Sequence, residues 1–480
     1  MKQSWRDQLA IEASETWIAA MHTRLGLVVA AALSVCALQA RLELWEAVLA
    51  VAAALLASRR PGWRTPVLLS ATWLTAFLQL GLGSSDTIEY LHPLLELAEL
   101  PTSMAVGIGT GMLVFLLALI AAGLRWIRKR PHAWVARQPF LTLLLFEIFL
   151  AVLANQDFMP ALARVVLWSF IFSLMPYIWY LPAAITDLRA KGGDSIVTQL
   201  GTLRPFWSPA HLPFGKGAAF LRKHLARNPR ELAITQLKAL KLLLWANVLI
   251  AIRSGLTVVF EEYFGIPSVA SAMDAALNEQ ANSILLGWFA LVLSTAKFSL
   301  QIAIWAHLFV GIARLAGYRL PRGSWRPLES RTLIEYFNRF HYYFKELLVD
   351  LFFLPTFMRA FRSNPRLRVF FATFMAAGVG NAVWHFMRDL NVVAELGFRL
   401  ALESFSSYAF YCLVLAIGIS ISQVRANAGF RPGNTVFERL YSFLSVWGFV
   451  VCLHAFSDGS RNHTLLERLS FVARLFGVSV

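Results

Sequence analysis

Apolar positions along this chain fall in unbroken runs, not at the period-2 spacing of a half-buried strand or the one-sided stripe of a soluble amphipathic helix. "LGLVVAAALSVCALQA" (Leu25–Ala40), "MLVFLLALIAAGL" (Met112–Leu124) and "FLTLLLFEIFLAVLA" (Phe140–Ala154) carry almost no charge. With their flanks they approach the roughly 20 residues that cross a bilayer as a helix. A backbone in hydrocarbon must satisfy its own hydrogen bonds, so such runs are predicted to be helical. Spans are expected near 25–40, 44–58, 65–83, 104–124, 140–154, 165–185, 242–260 and 284–318. The alternation then becomes irregular. Residues 317–357 are too charged to cross lipid alone and too aromatic for a solvated loop: Arg339, His341, Lys345, Glu346 and Asp350 alternate with Tyr336, Phe337, Phe340, Tyr342, Tyr343 and Phe344. Such a segment belongs at the interface or in a protein-lined cavity. Three further spans follow near 366–388, 401–423 and 440–457. The pattern predicts an all-α, polytopic integral membrane protein with about eleven transmembrane helices plus interfacial or re-entrant helices.

The ends read differently. Residues 1–24 mix both charge signs with aromatics and lack the basic, apolar and cleavage regions of a signal peptide, so a retained amphipathic interfacial helix is expected there, ahead of a single membrane domain over 25–480. "TLLERLSFVARLFGVSV" at the C-terminus reads as an amphipathic surface helix.

Composition agrees, with 58% hydrophobic and 15% charged residues, where soluble domains carry about a quarter charged. The net charge of +16 raises nucleic acid as a partner, but its distribution argues against it. Basic residues gather in alternate loops, at Arg59, Arg60 and Arg64, at Arg125, Arg128, Lys129, Arg130 and Arg137, and across 186–241. The loops between hold Asp86, Glu89, Glu96 and Glu99, or Glu261, Glu262, Asp274 and Glu279. That is the positive-inside pattern, and it places the N-terminus in the cytoplasm. The 186–241 segment carries ten Lys/Arg against three acids. It suits either anionic lipid headgroups or an acidic partner, such as coenzyme A phosphates or an acyl carrier protein, docking on Lys216, Arg222, Lys223 and Arg227. Cys36, Cys412 and Cys452 each lie in an apolar run, with neither the pairing of a disulfide framework nor metal-ligand spacing. They read as small buried hydrophobes.

G-x-S-x-G, H-E-x-x-H and Walker A patterns are missing from the sequence, which sets aside the common hydrolase, zincin and P-loop readings. "GIGTG" (Gly107–Gly111) fails the dinucleotide spacing and reads as close helix packing. Glu147 is the clearest carboxylate within a span, too little for a proton relay. Two histidines remain, His341 on the charged aromatic segment and His385 near the end of an apolar span, beside Trp384. At helical spacing Asn381, His385 and Asp389 share a face. An amide one turn before and a carboxylate one turn after would fix the imidazole tautomer and leave the other nitrogen to accept a proton. Arg388 competes for Asp389 as an ion pair, and a structural histidine is the alternative reading.

The stretch Phe309–Pro355, "FVGIARLAGYRLPRGSWRPLESRTLIEYFNRFHYYFKELLVDLFFLP", resembles the hallmark region of the membrane-bound O-acyltransferase (MBOAT) family. The branch it is most similar to is the bacterial one of alginate acetylation and D-alanyl transfer. The matching residues are Gly311, Ala313, Arg314 and Leu315; Gly317, Tyr318, Leu320 and Pro321; Arg331, Thr332 and Leu333; then Phe337, Arg339, Phe340, His341, Asp350, Phe353 and Pro355. His385 falls where the family has its second histidine, and the likeness covers about 305–480. Phe337 and Phe340 stand where the family has tryptophans, apolar residues and His307 replace the aspartate and serine usual just before Gly311, and Phe386 replaces a glycine after the second histidine. The resemblance implies a fold with a central tunnel and direct transfer of an acyl group, other than aminoacyl, from a thioester to a hydroxyl. The donor would be cytoplasmic, acyl-CoA or an acyl carrier protein, used as co-substrate with no bound cofactor or metal. The acceptor would be lipid-linked, polysaccharide or another periplasmic group, at the bacterial inner membrane, alongside other proteins of that modification pathway. It implies His385 as base and His341 as the group positioning the donor, supported by Arg339, Asp350, Asn381, Asp389 and Trp384. The rival class is a transporter or scaffold that keeps the fold without the chemistry.

Overall fold

The computed structural model describes residues 10–190, 193–208, 213–280, 283–457 and 462–478. Residues 1–9 of the expected N-terminal helix, and Lys191 of the basic segment, lie outside them. Among the described residues every regular element is helical, and the β pairing consists of one isolated bridge, Leu225 to Tyr318.

Among the described residues, eight helical stretches are long and apolar enough to cross a membrane: 61–97, 104–129, 161–179, 229–263, 283–315, 365–388, 390–427 and 436–454. About eleven were expected, and eight meet this measure. Arg24–Leu38 and Pro139–Ala154 are apolar but only 15 and 16 residues long, and Leu44–Arg59 has 16 residues. At 1.5 Å per residue such helices reach about 24 Å, short of the roughly 30 Å hydrocarbon core. The expected 165–185 span is broken: Ala161–Leu174 ends before Pro176, a 3₁₀ turn covers Tyr177–Trp179, and Leu181–Arg189 restarts with Pro182 in its first turn. Proline lacks the N–H that would continue the ladder.

The chain divides into two compact units. The first comprises 1–247, 305–322 and 390–395. Here Ile18 of the short Glu15–Ala20 helix and Met21 just after it are buried with Ala30, Ala233, Leu237 and Leu240, so the described part of the N-terminal segment packs on protein. Gln236, fully buried, donates to Ser58 Oγ and the Leu315 carbonyl at 3.1 Å each and accepts from Arg59 at 3.2 Å. The "GIARLAGYRLP" element has a structural account. Helix Ser283–Leu315 stops at Gly317, whose φ of +88° suits glycine. Its N–H meets the Arg314 carbonyl and that of Tyr318 meets Ala313, at 3.0 and 3.1 Å. Arg314 folds back to donate twice to the Leu320 carbonyl, at 3.0 and 2.6 Å. The basic 186–241 segment carries helices Ile196–Thr202 and Ala218–Lys223 and the start of Pro229–Leu256, with Leu203, Trp207, Phe214 and Leu221 buried. Its aromatic and leucine positions supply the core that its charges conceal in a composition count.

The second unit comprises 248–304, 323–389 and 396–480. One core gathers Val269, Met273, Leu291, Leu415, Ile419, Val451, Phe456 and Phe471. The C-terminal helix Leu465–Leu475 is amphipathic as expected, with Phe471, Leu475 and Arg468 on its buried face and Leu466 exposed. Arg468 is tolerated there because it donates to the carbonyls of His463 and Ala455. A second, smaller core joins Tyr336, Phe340 and Val446. The three cysteines are free; Cys412 is buried, but Cys36 is exposed, against the expectation that all three are interior.

Candidate functional site

Both histidines lie in the second unit. Thr332 starts the first element by accepting the Glu335 N–H at 3.2 Å, and helix Leu333–Phe340 follows. Its apolar side, Tyr336 and Phe340, is buried with Val446, while Glu335 and Arg339 pair on the other side. The helix breaks at His341, whose φ of −136° and ψ of 58° leave the helical region. The break is held from outside: the Tyr342 N–H donates to the Gly323 carbonyl at 2.9 Å and Trp325 N–H to that of Arg339 at 2.8 Å. A new helix, Tyr342–Leu348, begins at once and runs into a π-helical turn, Val349–Phe353.

The His385 element has the same construction. Helix Pro365–Phe374 widens into a π-helical turn, Met375–Gly380, then resumes as Asn381–Arg388. Turns of this kind mark functional positions often enough to merit notice. The glycines of "GVGNAVWHFM" serve close packing: a Cβ on Gly380 would lie 2.7 Å from the Phe352 ring and 3.0 Å from Leu348, and one on Gly378 would lie 2.8 Å from the Ala416 Cβ. Gly380 thus lets the two π-turns pack against one another, which sets the His341 and His385 elements side by side.

The result brings the imidazoles onto one aromatic side chain. Phe344 lies 5.1 Å from the His341 ring and 6.5 Å from that of His385, and Trp384 meets the same Phe344 at 5.5 Å. The two imidazoles are near enough to interact electrostatically. Both residues are half-buried. Burial holds the His341 imidazole down, at about 4, well under the ordinary histidine value, because desolvation disfavours the cation. At neutral pH it is an uncharged donor and acceptor.

The expected support of His385 is only partly present. Asn381 is buried as expected, but its Oδ1 and the His385 Nδ1 are both buried with no hydrogen-bond partner, so the amide does not fix the tautomer. Asp389 pairs with Arg388 at 2.9 Å. The reason is local: Asp389 keeps its helical place, its N–H still meeting the His385 carbonyl at 3.2 Å, but the adjacent Arg388 guanidinium draws the carboxylate to itself. Tyr408, which the sequence pattern did not single out, stands 4.2 Å from the His385 ring, ring centre to ring centre, while the Arg388 guanidinium reaches its phenol oxygen. Its signal was present as the polar run "ESFSSY" (403–408) within an otherwise apolar span. Phe386, where the resemblance has glycine, packs edge-on against Phe405 at 5.3 Å, and Phe405 stacks on Tyr408 at 5.8 Å.

Arg339 lies away from the imidazoles, against Trp325 at 5.3 Å and bonded to Glu335, with Glu329 at 3.6 Å. Asp350 is exposed on its π-turn, where its charge and that of Glu346 act on the Tyr342 phenol. Of the four proposed docking residues, Lys216 is withdrawn: it is 8% exposed, with its ammonium over the Phe220 ring at 5.6 Å. Arg222 pairs with Asp194, whereas Lys223 and Arg227 are exposed. No protein-family model and no curated protein matches this chain.

Proposed function

We propose that this chain is a membrane-bound acyltransferase of the MBOAT kind, in which His385 acts as base and His341 positions the thioester. The acceptor hydroxyl oxygen attacks the thioester carbonyl carbon as the His385 imidazole takes the hydroxyl proton. The carbon–sulfur bond then breaks, and the departing thiolate recovers that proton from the imidazolium. His341, uncharged at neutral pH, suits an N–H donated to the carbonyl oxygen, where charge develops. The observation that carries this reading is the pair of imidazoles on Phe344, with the buried Nδ1 of His385 and Oδ1 of Asn381 orphaned beside it. Each such atom costs about 1–3 kcal/mol, a cost proteins keep where a polar group of a substrate is to be met. The donor class, coenzyme A or carrier-protein thioester, the hydroxyl acceptor and the cytoplasmic-membrane location rest on the resemblance of residues 305–480.

The test is His385→Ala in protein that still elutes as a single monodisperse peak. Removing a placed base costs about 10²–10⁴-fold, so acceptor-dependent release of free thiol should fall by that factor. Undiminished release from the variant sinks the assignment. Wild-type protein that releases no thiol with acyl-CoA or acyl carrier protein, across hydroxyl acceptors, favours the transporter or scaffold instead.

A further inference from the structure

A groove of about 790 Å³ opens in the second unit, lined by Leu328, Ser330, Arg331, Arg339, Arg439 and Phe443, with Glu329, Glu335 and Leu440 completing it. Its charges are unevenly matched. Arg339 is held by Glu335 and Glu329, and Arg331 donates to Asn434 Oδ1 at 2.7 Å and to the Gly433 carbonyl at 3.3 Å. Arg439 is exposed, and among the described residues no side chain pairs with it. The nearby helix N-terminus is already closed by its own residues: Glu438 accepts from the Thr435 N–H and hydroxyl, and Thr435 from the Glu438 N–H. The Ser330 hydroxyl, on a residue 2% exposed, is buried with no hydrogen-bond partner.

The apolar half of the groove continues outward. Leu440 and Phe443 belong to helix Val436–His454, whose first turns also expose Val436, Phe437, Tyr441 and Leu444. That helix has 19 residues, about 28 Å, just enough for the hydrocarbon core. Its first turn therefore starts at the headgroup boundary, where a cation is favourable and an apolar side chain one turn deeper meets acyl chain.

We propose that this groove seats an anionic phospholipid, its phosphate on Arg439 and Arg331 and its chains along Phe437, Leu440, Tyr441 and Leu444. The neutralised Arg339 forms the wall and not the anchor. The proposal rests on helix Val436–His454 crossing a membrane and is independent of any acyl transfer. Purified protein in mild detergent is mixed with phosphatidylglycerol or phosphatidylcholine, and retained lipid is read by native mass spectrometry. Wild type should retain phosphatidylglycerol about fivefold more than phosphatidylcholine, the contribution of one cationic side chain near a charged lipid surface. Arg439→Gln should lose that preference and Arg439→Lys should keep most of it. Equal retention of both lipids by wild type, or an undiminished preference in Arg439→Gln, overturns the proposal. Competition by millimolar inorganic phosphate as effective as that by phosphatidylglycerol overturns it too, since the site would then hold free phosphate and not lipid.

Discussion

His341 shows how one side chain can carry a pH dependence legible from its surroundings. Its imidazole, held at about 4 by burial, binds no proton between pH 6.5 and 4, whereas the same residue in an unfolded chain does. The unfolded state therefore takes up the extra proton, and stability falls as pH falls through that window and is fully present above it. The effect is up to about 3 kcal/mol. Melting curves in detergent at pH 7 and pH 4.5, for wild type and His341→Gln, read it directly: the wild type should lose more on acidification, and an equal loss in both removes the claim. The residue scale is also where sequence reading met its limits. Both histidines were legible, because an imidazole in an apolar or aromatic run is costly and stands out. Tyr408 was not, because the polar run around it marks the place without naming its partner across the fold. Lys216 was misread since burial over Phe220 is a tertiary fact that charge counting cannot contain.

Among elements, helix existence was well anticipated, since unbroken apolar runs leave few alternatives in lipid, whereas π-turns and breaks were not. A π-helical turn inserts one extra residue into a ladder and leaves no compositional trace. Gly378 and Gly380, in "GVG" (378–380), were its nearest sign. Their use makes a prediction for the element. In Gly380→Ala the new methyl meets Phe352 Cδ2 at 2.7 Å and Cγ at 2.9 Å, with Leu348 at 3.0 Å, so the paired turns must part. Overpacking of this kind costs about 1–3 kcal/mol. Since these turns carry His341 and His385, thiol release should fall along with melting temperature. Gly448→Ala, where a Cβ meets nothing within 4 Å, is the matched control and should leave both unchanged. Equal behaviour of the two variants would mean that the turn contact does not set the histidine geometry.

For the whole molecule the open quantity is sidedness, which charge distribution argues and packing does not. Helix Met104–Lys129 is 26 residues long, about 39 Å, enough to cross and reach water at both ends. Glu96 and Glu99 precede it, while Arg125, Arg128, Lys129 and Arg130 close it. Cations at its C-terminal end also suit the helix dipole, so they alone prove no orientation. The independent argument is that Arg59, Arg60 and Arg64 sit at the start of the candidate span 61–97 and Asp86, Glu89, Glu96 and Glu99 toward and just past its other end. Basic ends thus recur on alternate crossings, as the positive-inside rule requires. In a background with Cys36, Cys412 and Cys452 replaced, Glu96→Cys and Lys129→Cys place single thiols at exposed positions at the two ends. A charged, membrane-impermeant maleimide added outside intact cells should label the first and spare the second until the membrane is opened. Labelling in the reverse order would invert the chain, placing the basic 186–241 segment on the outer face and removing its access to a cytoplasmic donor.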